Sequence, residues 1–120
     1  MTDNRPIVRV IGTGGSIAGV GPDRMDFILY PESGEHITIQ QSLERVPEIK
    51  DIAEVKSEDL VSVGSTAIGA AEWLGLTRRI NGIFREEPDI TGVAVTHGTA
   101  TLEETCLLYT SPEPTRPERI

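Results

Sequence analysis

The sequence predicts an α/β fold with a mostly parallel sheet and flanking helices. Two observations lead to this prediction. Short apolar segments that are typical of buried strands alternate along the chain with helical segments. Three segments also end in glycine followed by hydroxyl residues, at 15–16, 64–66 and 98–99. Because the carboxyl ends of parallel strands share one edge of a sheet, we expect these three groups to meet there and to form a site.

The composition restricts the class of protein. A chain of 120 residues suits one domain. Its net charge of −8 argues against nucleic-acid and anionic-membrane partners, and no apolar run approaches the roughly 20 residues of a membrane span. The N-terminus has no signal-peptide core, and the single cysteine, Cys106, cannot form an internal disulfide. The sequence has no metal-ligand cluster, and a cytoplasmic protein is the default expectation.

The first strand is predicted from the β-branched, apolar run at residues 7–11. It ends at Gly12, Gly14 and Gly15, whose lack of a Cβ permits a tight turn and a close approach by other groups. Ser16 at the end of this turn could present a nucleophile. The turn lacks the third glycine of a dinucleotide fingerprint and the lysine of a phosphate-binding loop. The alternative is a strand-to-helix turn without chemistry.

A long loop and a short helix follow. Residues 20–34 are rich in glycine, proline and aspartate, with an apolar cluster at 27–30. The loop is interpreted as a lid, and the alternative is a loop pinned by a few buried side chains. Residues 38–41 have the pattern of a capping box that opens a helix, with Leu43 and Val46 on its inner face and Pro47 at its end.

The middle of the chain predicts two strands and the longest helix. Residues 52–56 alternate as a strand does, and residues 60–63 form a second candidate strand. Residues 68–84 form the strongest helical segment. The residues placed near its apolar face are Ala71, Leu74, Ile80, Ile83 and Phe84, with Arg78 and Arg79 outside.

The last elements are a strand at 90–95 and a helix that begins at Leu102. Glu103 and Glu104 suit the first turn of that helix, because acids there interact favourably with the helix dipole. His97 lies between the two elements. No acidic residue stands at a spacing that would indicate a catalytic pair with it, so it is interpreted as a packed residue. Trp73 is interpreted as helix packing.

Two segments resemble the signatures of bacterial-type L-asparaginases. Residues 13–18 read TGGSIA, which is similar to the family's TGGTIA. Residues 96–105 read THGTATLEET, which is similar to the second signature, in which Asp stands at the fifth position. Residues 46–53 and 63–65 also look like family segments, in the right order. The resemblance spans about residues 7–105 and identifies the chain as a truncated N-terminal portion of a divergent member.

The resemblance implies a Rossmann-like or flavodoxin-like N-terminal domain, here incomplete, of a two-domain amidohydrolase without metal or organic cofactor. It implies that Ser16 is the nucleophile, that Thr99 is the second catalytic hydroxyl, and that Tyr30 is the lid residue that activates the nucleophile. For Ser16 the alternative is an N-cap of the following helix, and for Thr99 it is a cap or turn residue. The substrate-binding positions it implies are Ser65, Thr66, Gly98 and Ala100.

Three positions depart from the family pattern. Ser16 replaces threonine; it can still form an acyl-enzyme but lacks the methyl group that restricts χ1. Ala100 replaces the aspartate that holds the α-ammonium of the substrate, so asparagine should bind poorly in the usual way. Thr66 replaces a glutamine of the same pocket. The family's catalytic lysine would come from beyond residue 120.

The expected function is hydrolysis of a side-chain or small-molecule amide through a hydroxyl nucleophile, with release of ammonia. The full-length parent is expected to be a dimer or tetramer with no nucleic-acid or membrane partner, and the 120-residue chain alone is expected to be inactive. The alternative is a non-catalytic relative that binds a small molecule, which the Ala100 replacement favours.

Residues 106–120 form a segment of different character. The family pattern stops at Thr105, and the following residues resemble one translated frame of a transposon-based sequencing adapter. We therefore expect residues 1–105 to be the truncated asparaginase domain and residues 106–120 to be non-native. The alternative is a natural proline-rich disordered tail.

Overall fold

The computed structural model describes residues 4–110. Its sheet has three parallel strands in the order β2-β1-β3. The strands are β1 (Ile7–Gly12), β2 (Glu54–Asp59) and β3 (Gly92–Thr96). Helices flank this sheet, which confirms the predicted α/β fold.

Within residues 4–110, five helical segments connect the strands and two more follow β3. The α-helices are α1 (Ile39–Glu44), α2 (Ile49–Ile52), α3 (Ala70–Glu86) and α4 (Leu102–Thr110), and the one-turn 3₁₀ helices are η1 (Ser16–Ala18), η2 (Ser65–Ala67) and η3 (Thr99–Thr101). Within the described part of the chain, no helix is long and apolar enough to cross a membrane. Residues 111–120, most of the segment predicted to be non-native, lie outside the described residues.

The second strand differs from its prediction. Residues 52–56 and 60–63 were expected to form two strands, but one strand, β2, lies between their centres. Residues 60–63 lie outside the sheet. They still follow the end of β1, because the Leu60 N–H donates to the Gly12 carbonyl at 2.9 Å and the Val63 N–H donates to the Thr13 carbonyl at 3.3 Å. The prediction of a separate strand was wrong because β1 ends at Gly12 and leaves no ladder to continue.

The core lies between the sheet and α3. Ile11 and Ile83 are fully buried, and Leu76 and Ile80 complete the cluster. Positions 76, 80 and 83 form one stripe at helical spacing. The predicted apolar face was therefore partly wrong. Ala71 and Leu74 fall on the opposite side of the helix and are exposed, and Phe84, on the flank, is 40% exposed.

Charged residues flank this core on the same face of the sheet. Arg9 of β1 pairs with Glu87 just beyond α3, and Arg79 donates to Glu58 of β2 at 2.8 Å. The expectation that Arg79 lies outside was wrong, because its side chain extends along the sheet and is half-buried. Both arginines thus connect α3 or its end to the strands beneath it.

The loop after η1 is closed at its base by the backbone. The Val20 N–H donates to the Glu35 carbonyl at 2.9 Å, and Gly19 and His36 form an antiparallel bridge. Within the loop, Phe27 and Ile28 are 73% and 82% exposed. The side chains of Phe27 and Ile28 therefore do not pin the loop, and backbone hydrogen bonds close its base.

Helix α1 begins as the sequence predicts. The Thr38 hydroxyl accepts the Gln41 N–H at 3.1 Å, and the Gln41 side chain accepts the Thr38 N–H at 2.9 Å. This reciprocal pair is a capping box. The inner face differs from the prediction, because α1 ends at Glu44 and leaves Val46 half-exposed, while Ile39 is the buried residue.

Candidate functional site

The carboxyl ends of the three strands lie in one row. Gly12 of β1 pairs in register with Asp59 of β2 on one side and with Thr96 of β3 on the other. Beyond this row, each chain segment passes through a glycine into a one-turn 3₁₀ helix whose first residue carries a hydroxyl. These hydroxyl residues are Ser16, Ser65 and Thr99. We call the three segments the strand tips (residues 12–16, 59–65 and 96–99).

Thr13 binds the central tip to both neighbours. It is 2% exposed, and its hydroxyl donates to the Thr96 carbonyl at 2.7 Å. Its N–H donates to the same carbonyl at 3.3 Å, and its own carbonyl accepts the Val63 N–H at 3.3 Å. The end of β1 is therefore held by hydrogen bonds from β3 and from the segment that follows β2.

Glycine allows the tips to touch. Gly14, at φ +83°, lies so close to the next segment that an added Cβ would be 2.6 Å from the Val63 nitrogen. A Cβ on Gly15, at φ +85°, would lie 3.0 Å from the Gly98 Cα. A Cβ on Gly98 would lie 2.7 Å from the Ser65 Cβ. The distances at Gly14 and Gly98 exclude a side chain, and the positive φ of Gly15 would strain one, so these three contacts depend on glycine.

The contact of Gly15 with Gly98 brings two predicted site residues close together along the sheet edge. Ser16 follows Gly15, Thr99 follows Gly98, and both are exposed. The N-cap residues of η1 and η3 are the two glycines themselves. Neither Ser16 nor Thr99 is the N-cap of its 3₁₀ helix, because each is the first residue of that helix. Thr99 does lie in a turn, as its alternative interpretation allowed.

Ser65 joins the tip of the second segment to that of the third. It is 8% exposed; its hydroxyl accepts the Ala100 N–H at 3.2 Å, and its carbonyl accepts the Thr101 hydroxyl at 2.6 Å. The hydroxyl hydrogen of Ser65 can still be donated to a bound group. Thr66 and Ala100 are exposed beside it. The structure thus brings Ser65, Gly98 and Ala100 into contact.

Tyr30 lies against the end of η1. A Cβ on Gly19 would be 3.4 Å from the Tyr30 ring, and a Cβ on Gly21 would be 3.1 Å from the Tyr30 Cβ. Gly19 in turn donates its N–H to the Ser16 carbonyl at 3.0 Å. The loop residue is therefore packed on the same turn that carries Ser16.

Sequence reasoning missed a set of side-chain hydrogen bonds behind the third tip. His97 is 8% exposed, with Nδ1 2.5 Å from the Gly98 carbonyl oxygen and Nε2 2.9 Å from the Thr105 hydroxyl. The Trp73 indole N–H also donates to the Thr105 hydroxyl, at 2.9 Å. His97 is packed as interpreted, whereas Trp73 makes a specific bond besides packing. No local pattern could reveal a bond between positions 32 residues apart.

A cavity of about 90 Å³ lies on the α1 side of the glycine turn, against Gly12, Ile39 and Asp59. Asp59 accepts the Ile39 N–H there at 3.1 Å. Thr96 lines this cavity, but Ser16, Ser65 and Thr99 do not. Among residues 4–110, no group of three or more histidine, cysteine or acidic side chains is placed to hold a metal ion.

Residues 7–111 match the family model of the asparaginase N-terminal domain. The chain belongs to the asparaginase family. Among solved structures, this asparaginase chain is similar to the probable cytoplasmic L-asparaginase of Campylobacter jejuni, with a TM-score of 0.72 and 34% identity. That similarity covers 84% of this chain and 29% of the other.

Curated relatives give the same result. The chain is 43% identical over 100 residues to L-asparaginase 2 of Bacillus subtilis, which covers 83% of this chain and 26% of the relative. It is 34% identical over 98 residues to the glutaminase-asparaginase of Acinetobacter glutaminasificans, which covers 82% of this chain and 29% of the relative. The chain thus spans less than a third of the length of these relatives.

Proposed function

We propose that this chain is the N-terminal part of an amidohydrolase that cleaves a side-chain or small-molecule amide and releases ammonia. The observation that carries the proposal is the contact of Gly15 with Gly98, which sets the exposed Ser16 and Thr99 on adjoining tips. Acyl transfer needs one hydroxyl to attack and a second group to move a proton. The family match across residues 7–111 supports the same reaction class.

In the proposed reaction, the Ser16 oxygen attacks the amide carbon and its proton passes to the leaving nitrogen, which departs as ammonia. Water then attacks the acyl ester and frees the acid and Ser16. A serine hydroxyl is a weak nucleophile at neutral pH and needs a base. We assign proton transfer to Thr99, assisted by a lysine from beyond residue 120, and activation of Ser16 to Tyr30. The packing of Tyr30 on Gly19 supports its assignment.

Backbone N–H groups at the tips are proposed to stabilise the developing oxyanion. The first N–H groups of a helix have no partner within the helix. Ser16 and Thr99 are the first residues of η1 and η3, so their N–H groups are available at the edge where the reaction is placed. Fixed donors of this kind stabilise a tetrahedral intermediate without reorganisation.

The proposed substrate pocket is formed by Ser65, Thr66, Gly98 and Ala100. The methyl group of Ala100 is exposed and cannot pair with an ammonium group. We therefore infer that the preferred substrate is an amide other than free asparagine. The same residue favours the second candidate function, a relative that binds a small molecule without cleaving it.

Ammonia release by the full-length protein tests the reaction. Asparagine, glutamine and amides without an α-ammonium group are compared in the wild type, in Ser16→Ala and in the control Ser57→Ala, a mid-strand serine. We expect Ser16→Ala to lower kcat by about a thousandfold or more, since it removes the nucleophile. Ser57→Ala should match the wild type. Full activity in Ser16→Ala contradicts the assignment of Ser16 as the nucleophile. If calorimetry shows that the wild type binds an amide but does not cleave it, the result supports the second candidate function.

Replacing Ala100 by aspartate tests the inference about the substrate. Ala100→Asp restores a carboxylate that can pair with an ammonium group. It should therefore raise kcat/KM for asparagine by about tenfold or more relative to kcat/KM for the amide that the wild type prefers. A wild-type protein whose best substrate is already asparagine would defeat this inference. Glutamine serves as the second amino-acid substrate in the same assay.

The full-length protein is further proposed to be a cytoplasmic dimer or tetramer. The similarity to the Campylobacter jejuni protein supports the location. Light scattering after size-exclusion chromatography measures the assembly, and fractionation of the source cells measures the location. The 120-residue chain by itself should release no ammonia, because it supplies less than a third of the length of its relatives.

A further inference from the structure

The hydrogen bonds behind the third tip form one continuous chain from α3 to the sheet edge. It runs from the Trp73 indole to the Thr105 hydroxyl at 2.9 Å, from there to His97 Nε2 at 2.9 Å, and from His97 Nδ1 to the Gly98 carbonyl at 2.5 Å. Thr105 and His97 are 6% and 8% exposed. The chain is thus mostly shielded from water, where hydrogen bonds are stronger and unpaired groups are more costly.

Two of the four groups have a fixed role in these bonds. The Trp73 indole can only donate and the Gly98 carbonyl can only accept. His97 therefore carries a hydrogen on Nδ1, and in the tautomer with hydrogen on Nδ1 alone, Nε2 accepts the Thr105 hydroxyl hydrogen. The Thr101 carbonyl, 3.3 Å from the Thr105 oxygen, is a longer contact for the same hydrogen.

The end of this chain controls a peptide group of the proposed site. The Gly98 carbonyl and the Thr99 N–H belong to one planar peptide and point in opposite directions. Holding the carbonyl at His97 therefore directs the Thr99 N–H away from it. On its other side Gly98 is confined by Ser65, whose Cβ would be 2.7 Å from a Cβ at position 98.

We propose that His97, held by Thr105 and Trp73, is a positioning residue that orients the Gly98–Thr99 peptide for reaction at the strand tips. This inference rests on the proposed function. His97 does not touch the substrate in this role; it acts through the Gly98 carbonyl. The bond that Trp73 donates links the orientation of the Gly98–Thr99 peptide to α3, which packs across the sheet beneath the site.

Two substitutions of His97 in the full-length protein distinguish the effect of its hydrogen bond to Gly98 from the effect of its size. His97→Leu removes both ring nitrogens, whereas in His97→Asn the side-chain amide can still donate to the Gly98 carbonyl. We expect His97→Leu to lower kcat by about tenfold or more with KM within about threefold, because a small misplacement of a reacting group is costly. His97→Asn should restore most of kcat. The control is Thr91→Val, at the opposite end of the sheet, where the hydroxyl accepts the Ile7 N–H.

Trp73 provides a spectroscopic readout. Its emission is isolated by subtracting the spectrum of Trp73→Phe. Thr105→Val removes the acceptor of the indole N–H and should shift this emission and lower kcat, whereas Thr105→Ser should leave both as in the wild type. If His97→Leu does not fold, the positioning role is tested by Thr105→Val and Thr105→Ser instead. We then expect kcat to be about tenfold or more lower in Thr105→Val than in Thr105→Ser.

Equal kcat values in folded His97→Leu and His97→Asn overturn the positioning role, and so do equal kcat values in Thr105→Val and Thr105→Ser. Activity that is lost in Ser16→Ala but unchanged in folded His97→Leu overturns this role alone and leaves the proposed function intact. A wild-type protein that hydrolyses no amide overturns the proposed function, and the positioning role with it.

Discussion

The strand tips and the loop of residues 20–35 both adjoin Ser16, but different interactions hold them. The tips touch through the buried glycines Gly14, Gly15 and Gly98, and the buried Thr13 is bonded to both neighbouring segments. The loop exposes its apolar side chains and is closed at its base by backbone bonds and the bridge of Gly19 with His36. Its interior bonds are local ones, such as those that Asp26 accepts from the N–H groups of residues 28 and 29.

This difference indicates that the strand tips and the loop, which lie on either side of Ser16, have different tasks. Close-packed backbone cannot shift without many contacts changing together, which suits groups that must stay fixed relative to one another. A segment with few buried contacts opens at low cost in free energy. The tips are therefore the preorganised part of the proposed site, and the loop that carries Tyr30 is the part that can move.

Two glycines with similar backbone angles should give the strongest contrast. Gly14 in the tip and Gly34 in the loop have φ of +83° and +78°, but a Cβ meets the Val63 nitrogen at 2.6 Å in the first and open space in the second. Gly14→Ala should destabilise the fold by about 3–6 kcal/mol, from φ strain and overpacking together. Gly34→Ala should cost only about 1–2 kcal/mol. Urea denaturation followed by circular dichroism measures both, and similar losses would contradict the comparison.

A pair of isoleucines comes next. Ile11, immediately before the central tip, is fully buried, whereas Ile28 in the loop is 82% exposed. Ile11→Ala should reduce the free energy of unfolding by about 2–5 kcal/mol, because it removes buried methyl groups and leaves a cavity. Ile28→Ala should change it by less than about 0.5 kcal/mol. A loss above about 1 kcal/mol in Ile28→Ala would mean that the loop is anchored by its side chains after all.

A hydroxyl pair gives a smaller contrast. Thr13→Val keeps the shape of the side chain but removes the donor to the Thr96 carbonyl, which still accepts the Thr13 N–H. We expect a loss of about 1 kcal/mol. Ser33→Ala removes an exposed hydroxyl that donates to the Val20 carbonyl at 2.5 Å, and it should cost less. Thermal denaturation ranks the two, and a larger shift in melting temperature for Ser33→Ala would reverse the comparison.

A pH dependence at the start of α3, next to the second tip, should be the weakest effect. The Gly69 N–H, at 2.9 Å, holds the pKa of the Glu72 carboxyl below its ordinary value of 4.5. A lowered pKa in the folded state stabilises the fold above the unfolded pKa, and this contribution is lost as the pH falls through the folded value. The difference in melting temperature between the wild type and Glu72→Gln should therefore shrink as the pH is lowered from 6 to below 4.5. A difference that stays constant would rule out this contribution.

Features that depend on local chemistry could be predicted from the amino-acid order alone. The β-branched run at residues 7–11 predicted the central strand, because such side chains fit a pleated, buried surface. The capping box at Thr38 and the start of the last helix at Leu102 were predicted from adjacent residues. The glycine and hydroxyl pairs also marked the ends of their segments, because glycine permits the turns that end them.

Which surfaces and atoms meet became known only from the folded chain. Periodicity predicts a helix over residues 68–84, which the structure places at Ala70–Glu86, but the sheet selects the stripe through Leu76, Ile80 and Ile83. The bond from Trp73 to Thr105 joins α3 to α4 across 32 residues, so no short pattern encodes it. The exposure of Ile28 likewise depends on how the loop folds back on itself. In each case the outcome depends on packing between distant segments, whose free energy is settled only once the whole domain is assembled.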